Sequence, residues 1–219
     1  MARIPRSKRR LVVLISGRGS NMLALIGAAK SADYPAAVVK IISNNPNAAG
    51  LASAKAARVE TAVVNHKDFA ARAAFEAALD DAIASAKPDL ICLAGFMRIL
   101  SADFVRRWQD RMINIHPSLL PAFKGLHTHE RVLESGVRFT GATVHFVRAR
   151  TDDGPIIIQA AVPVLPGDDV KSLAARVLAE EHVIYPHAVR LIAEGRVRVI
   201  GRHVRIEAPG PAPAPVVNP

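Results

Sequence analysis

Over its first 116 residues the chain alternates short apolar runs with stretches of helical pattern, and that alternation leaves few folds open. Apolar runs occupy residues 11–15, 37–43, 61–65, 89–94 and 112–116. Helix-forming segments separate them at 21–30, 48–58, 68–86 and 102–109. Strands separated by helices cannot pair as hairpins. They pair in parallel through right-handed crossovers, with helices on both faces of the sheet. The expected class is therefore α/β, doubly wound and mostly parallel. The pattern changes after His116. The runs 141–147 and 156–164 are joined by residues 148–155, too few for a crossover helix, so this C-terminal part is expected to be antiparallel. A long helix follows at 170–193, with apolar Leu173, Val177, Val183 and Ile184, a kink expected at Pro186 and an end at Gly195. Two short basic runs, 196–200 and 203–206, are expected to form a hairpin.

These elements fit one domain over residues 11–207, between a basic flexible tail at 1–10 and a Pro-rich disordered tail at 208–219. The formal net charge of +10 raises the question of nucleic acid. The charge sits in the flanks, however. Arg3, Arg6, Lys8, Arg9 and Arg10 precede the first run, and Arg196, Arg198, Arg202 and Arg205 follow the last helix, leaving the body near neutrality. No nucleic-acid partner is expected. Cys92 is the only cysteine and lies in an apolar run, so no intramolecular disulfide forms and the reducing cytoplasm suits the chain. The first apolar run is too short for a membrane span, and no membrane partner is expected.

The chemistry gathers at Asn114-Ile115-His116-Pro117-Ser118-Leu119-Leu120-Pro121. Side chains alternate faces along a strand, so Asn114 and His116 share one face, and Pro117 ends the ladder. An amide donor beside an imidazole offers what acyl-type transfer to an amine requires: a partner for an oxyanion and a carrier for a proton. The N-x-H triplet alone is also a common chance pattern. A second candidate is Ser16-Gly17-Arg18-Gly19-Ser20-Asn21, between the first strand and the first helix. It is either a plain turn or an anion site, where Gly17 and Gly19 admit a phosphate, Ser20 and Asn21 add cap-type hydrogen bonds, and the helix dipole attracts it. Leu23 replaces the third glycine of a dinucleotide fingerprint, so one terminal phosphate fits better than a dinucleotide. A third is Asp152-Asp153-Gly154, an ordinary turn or a carboxylate delivered to His116 whose charge would raise the imidazole pKa. His145 reads as a core or supporting histidine. His127 and His129 lack companions at metal-ligand spacing, so no metal is expected.

The eight-residue string, followed by Gly125-Leu126-His127-Thr128-His129 and preceded by the Gly-rich turn, resembles the folate-dependent formyltransferase family from about residue 11 to 198. The resemblance implies a Rossmann-like sheet and transfer of a formyl group from 10-formyltetrahydrofolate, as co-substrate, to the amine of glycinamide ribonucleotide in purine biosynthesis. It implies Asn114, His116 and Asp152 as catalytic. It implies Gly19, Ser20, Asn21 and Glu181 on the ribonucleotide. It implies Arg72, Met97, Arg98, Ile99, Leu100, Asn114 and residues Arg148, Ala149, Arg150, Thr151 and Asp152 on the folate. Arg72 also reads as a solvated surface residue, and His127 and His129 as loop-shaping or substrate-side residues. Two positions depart from the pattern. Asp153 stands where some relatives have glycine, and Leu178 where some carry a polar residue. Small-molecule partners and a monomer or weak homodimer are expected. A tRNA formyltransferase would carry a further C-terminal domain, for which the last residues do not suffice. A formyltetrahydrofolate deformylase would carry a regulatory domain ahead of the first strand. A non-catalytic binding protein would not be expected to keep Asn114, His116 and Asp152 together.

Overall fold

The structure, a computed structural model, describes residues 8–208, 217 and 218. The tail expectations for 1–7, 209–216 and 219 lie outside the described residues. The chain divides into two compact units, one ending at Ile113 and the other starting at Asn114.

In the first unit, β1 (Arg9–Ile15), β2 (Ala36–Ser43), β3 (Glu60–Val63) and β4 (Leu90–Leu93) alternate with α1 (Ser20–Ala29), α2 (Ala49–Ala56) and α3 (Arg72–Ala84), and α4 (Ala102–Arg107) follows β4. The strand order is β3-β2-β1-β4 and every pairing is parallel. Leu11 to Ile15 are wholly buried, as a continuous apolar run covered on both faces must be. Arg9 and Arg10, expected in a flexible tail, instead open β1. Asp89 accepts from the Arg9 guanidinium at 3.2 Å and from the Arg10 N–H at 2.8 Å. The predicted helix over 68–86 is shorter and starts later. The Asn65 side chain accepts from Lys67 N and donates to Asp68, closing a separate 3-10 turn at His66–Asp68.

The second unit takes up β5 (Met112–His116) at its C-terminal half and continues with α5 (Thr128–Ser135), β6 (Phe139–Phe146), β7 (Ile156–Pro163), α6 (Val170–Ala193), β8 (Val197–Ile200) and β9 (His203–Ile206). The order is β5-β6-β7, with β6 and β7 antiparallel and β8 and β9 a separate antiparallel pair. The fold is thus the expected mostly parallel α/β sheet with an antiparallel C-terminal part. Helix α6 starts with a capping box between Asp169 and Ser172, and Arg176 grips Asp168 through both guanidinium nitrogens at 2.7 and 2.8 Å. It continues unbroken through Pro186 and packs on β6 and β7. Asn218, in the tail expected to be disordered, donates to the carbonyls of Arg138 at 2.7 Å and Val164 at 3.0 Å.

Candidate active site

Strand β5 ends where its chemistry begins. Ile113 and Ile115 are buried on one face, which turns Asn114 and His116 to the other. The turn beyond is held by side chains from the neighbouring hairpin. Thr143 Oγ1 donates to the Ser118 carbonyl at 2.6 Å and accepts from Leu120 N at 3.1 Å. Gln159 donates to the Leu120 carbonyl at 3.0 Å. That turn brings the Phe123 carbonyl to His116, whose Nε2–H donates to it at 2.9 Å.

The loop between β6 and β7 supplies the carboxylate. Asp152 Oδ2 lies 3.4 Å from His116 Nδ1 and accepts the Gly125 N–H at 2.9 Å, while Oδ1 lies 3.7 Å from His145 Nε2. Asp152 has φ of 50°, in the left-handed region that aspartate tolerates better than most residues. The next residue but one must be glycine, because a Cβ on Gly154 would stand 1.7 Å from the Phe146 carbonyl oxygen. His145 is buried, and its Nδ1 meets the Phe146 carbonyl at 2.9 Å. A carbonyl only accepts, so Nδ1 carries a hydrogen there, and Nε2 lies 3.3 Å from the Asn114 amide nitrogen. The Asn114 amide has two hydrogens, and holding one at His145 aims the other.

The structure therefore brings Asn114, His116, His145 and Asp152 together. It corrects the expected direction of the His116 shift. Burial pushes the imidazole below its ordinary pKa and outweighs the Phe123 carbonyl and the Asp152 carboxylate, which push it up; the His145 ring and Arg131 also push it down. Asp152 has the expected sign of effect on His116, yet burial has the larger one. Burial raises the Asp152 carboxyl, but His145, the Gly125 N–H and the His116 ring together hold it below the usual carboxylate range.

Of the other loop residues, Arg148 donates to the carbonyl of Val147 at 3.0 Å, and Ala149, Arg150 and Thr151 are exposed. Glu181 is buried on α6. His127 has φ of 54° and heads α5, and the half-buried His129 is pushed below its ordinary pKa mainly by burial. Among the described residues no three His, Cys, Asp or Glu side chains converge as metal ligands.

The first unit carries the other two features. Gly19, with φ of 76°, caps α1 and has no side chain of its own to bond the first amides of the helix. Ser20 and Asn21, expected as caps, lie inside the helix as its first two residues. The first amides of a helix are donors without an intrahelical acceptor, as an anion requires. The same turn fixes the segment after β4. Ser16 N donates to the Gly95 carbonyl at 3.1 Å, and the Ser16 hydroxyl accepts from Met97 N at 2.7 Å. At the far end, buried Glu76 accepts Ser101 N at 2.7 Å and the Ser101 hydroxyl. Residues 97–100 are thus pinned at both ends, with Met97 and Ile99 64% and 71% exposed. Apolar side chains held out on a fixed loop suit a flat heterocycle. Arg72 is exposed at the start of α3, 3.8 Å from Glu76.

Sequence reasoning missed the Phe123 carbonyl, the Gly125 N–H, Ser16 and Glu76. Backbone groups carry no signature in the sequence. Ser16 alone was visible, as the residue that opens the Gly-rich turn.

Comparison with known proteins follows the same lines. Residues 9–189 match the family model described as formyl transferase. The trifunctional purine biosynthetic protein adenosine-3 of Bos taurus is 51% identical over 199 residues, 91% of this chain and 20% of that protein. The chain thus spans about a fifth of the length of that relative. The phosphoribosylglycinamide formyltransferase of Escherichia coli is 44% identical over 86% of this chain and 89% of its own length. The crystal structure of glycinamide ribonucleotide transformylase 1 from Symbiobacterium toebii superposes with a TM-score of 0.89 at 47% identity, covering 91% of this chain and 94% of that one.

Proposed function

The chain belongs to the formyl transferase family, and from that premise we propose that it transfers the formyl group of 10-formyltetrahydrofolate to the amine of glycinamide ribonucleotide. The observation that carries this reading is the cluster at the end of β5: Asn114, His116 and Asp152, braced by His145. The amine attacks the formyl carbon, forming a carbon–nitrogen bond. The carbonyl oxygen gains charge in a tetrahedral intermediate. The second Asn114 N–H donates to that oxygen, and the His116 ring stabilises it as an imidazolium, holding the proton from the amine at Nδ1 while the charge is present. The bond from carbon to the folate nitrogen then breaks, and the proton lost by the amine ends on that nitrogen. Asp152, ionised between two imidazoles, relays this proton through water and raises the basicity of His116 as negative charge develops. No covalent bond to the protein is needed.

Gly19, Ser20 and Asn21 are proposed to take the ribonucleotide phosphate and Glu181 its glycinamide end. Residues 97–100, Arg72 and the 148–152 loop are proposed for the folate. Small-molecule substrates, no nucleic-acid or membrane partner, a monomer or weak dimer and a cytoplasmic location complete the proposal; among the described residues no helix is long and apolar enough to cross a membrane. Supplying both substrates to the purified chain and separating formylated ribonucleotide from free formate tests the reading. Formylated product in step with folate consumption supports it, and formate released without ribonucleotide would assign a hydrolase instead.

A smaller effect is expected at the phosphate turn. A Cβ on Gly19 would meet Gly50 Cα and Met22 Cε at 3.1 Å, at a φ that branched residues avoid. Gly19→Val should raise the ribonucleotide KM by about tenfold or more by blocking the approach of the anion. Folate affinity measured by calorimetry should stay within a few-fold. Equal loss of both ligands would make the turn structural only.

A further inference from the structure

We propose that Asp153 is a positioning residue that holds the Asp152 loop in its active orientation by clamping it to Lys124 and Arg202. The proposal rests on the reading of Asp152 as catalytic. Asp152 accepts the N–H of Gly125 at 2.9 Å, and Asp153 accepts Nζ of Lys124, so two successive acids engage two successive residues of the facing loop. On its other oxygen Asp153 meets Arg202 Nη2 at 3.2 Å, in the turn between β8 and β9. One carboxylate thus ties three segments together: the Asp152 loop, the turn after β5 and the C-terminal hairpin.

The surroundings show why a tie is needed. A cavity of about 340 Å³ lies against the loop, lined by Leu120, Pro121, Asp152, Asp153 and the Arg202 turn. Side chains beside open space are not fixed by packing. Asp152 also holds a left-handed backbone conformation, which persists only where neighbours over-determine it. Gly154 is fixed by its close approach to Phe146, but that restraint lies on the far side of Asp153. The Asp153 carboxyl is held below the usual carboxylate range chiefly by its hydrogen bond from Lys124, so it is ionised throughout the neutral range. Its side chain is 20% exposed and those of Lys124 and Arg202 are 36% and 76% exposed. Pairs this open add little to global stability. Their effect is on the geometry of the neighbouring carboxylate, where small misplacements slow catalysis.

Steady-state kinetics of Asp153→Asn, Asp153→Glu, Arg202→Ala, Arg202→Lys and Asp152→Asn, at saturating substrates, tests the clamp. Asp153→Asn should lower kcat about tenfold, as expected for a misplaced rather than a missing group. The ribonucleotide KM should stay within about threefold, since the residues proposed for it lie outside the clamped loop. Asp153→Glu and Arg202→Lys should recover most of the rate lost in Asp153→Asn and Arg202→Ala. Wild-type kcat should fall in about 1 M salt, where the screening length is about 3 Å, and that of Asp153→Asn should respond less. A wild-type kcat in Asp153→Asn, beside an inactive Asp152→Asn, would overturn the clamp alone. A loss in Asp153→Asn that Asp153→Glu does not reduce would overturn it as well. Full activity in Asp152→Asn would overturn the reading of Asp152 and the clamp with it.

Discussion

Asp152→Asn is expected to lower kcat by ~10³, within the usual range for loss of a proton-transfer group, while the protein remains folded. The substitution keeps the shape and the acceptor to Gly125 N but removes the charge between His116 and His145. Two consequences combine. In the proposed mechanism, the water that carries the proton from amine to folate nitrogen loses its base. The imidazole of His116, already pushed down by burial, loses the carboxylate that pushed it back up. The KM for either substrate should change far less than kcat, because the charge acts mainly as the oxyanion forms. A rate within tenfold of wild type in a folded variant would remove Asp152 from the chemistry.

His116→Ala is expected to cost about 10²–10³ in kcat, as for loss of one group that stabilises an oxyanion. The His116 side chain is buried and bonded to the Phe123 carbonyl, so its removal also leaves a small cavity and an unpaired acceptor. The thermal midpoint should therefore fall, and the rate must be compared at a temperature where the variant is folded. His116→Asn separates the two effects, restoring an N–H donor of smaller reach but no group that titrates near neutrality. It should recover stability more than rate. Normal turnover in either folded variant would contradict the mechanism.

Much of this architecture is legible in the chain. Strand β5 and helix α6 have the expected bounds, because Met112–His116 ends at a proline and Val170–Ala193 carries a long apolar stripe with an Asp169 cap. Helix α5 was not anticipated. Only Thr128 and Val132 of it are buried, and its N-cap is His127 in a left-handed conformation without a side-chain bond, so the cap signal is absent. Gly136, at φ of 68° after its last residue, was the available stop signal. Strand β1 begins at Arg9 because its first pairings are backbone bonds and ion pairs with Asp89, invisible to an apolar pattern.

The site divides in the same way. Asn114 and His116 follow from the period of a strand, whereas the union of Asp152 with His116 depends on a turn after β5 that tertiary bonds from Thr143 and Gln159 help to hold. The direction of the His116 shift was misjudged for a related reason. A motif displays the neighbouring charge, but burial is a property of the packed structure and here has the larger effect.

The central claim, that Asp152 acts on His116 against the cost of its burial, is tested most directly by NMR titration of the His116 ring in the wild-type protein and in Asp152→Asn. The wild-type ring should titrate below the ordinary imidazole value of about 6.5, and the variant ring lower still, losing its proton earlier as pH rises. An unchanged or higher value in Asp152→Asn would contradict the account.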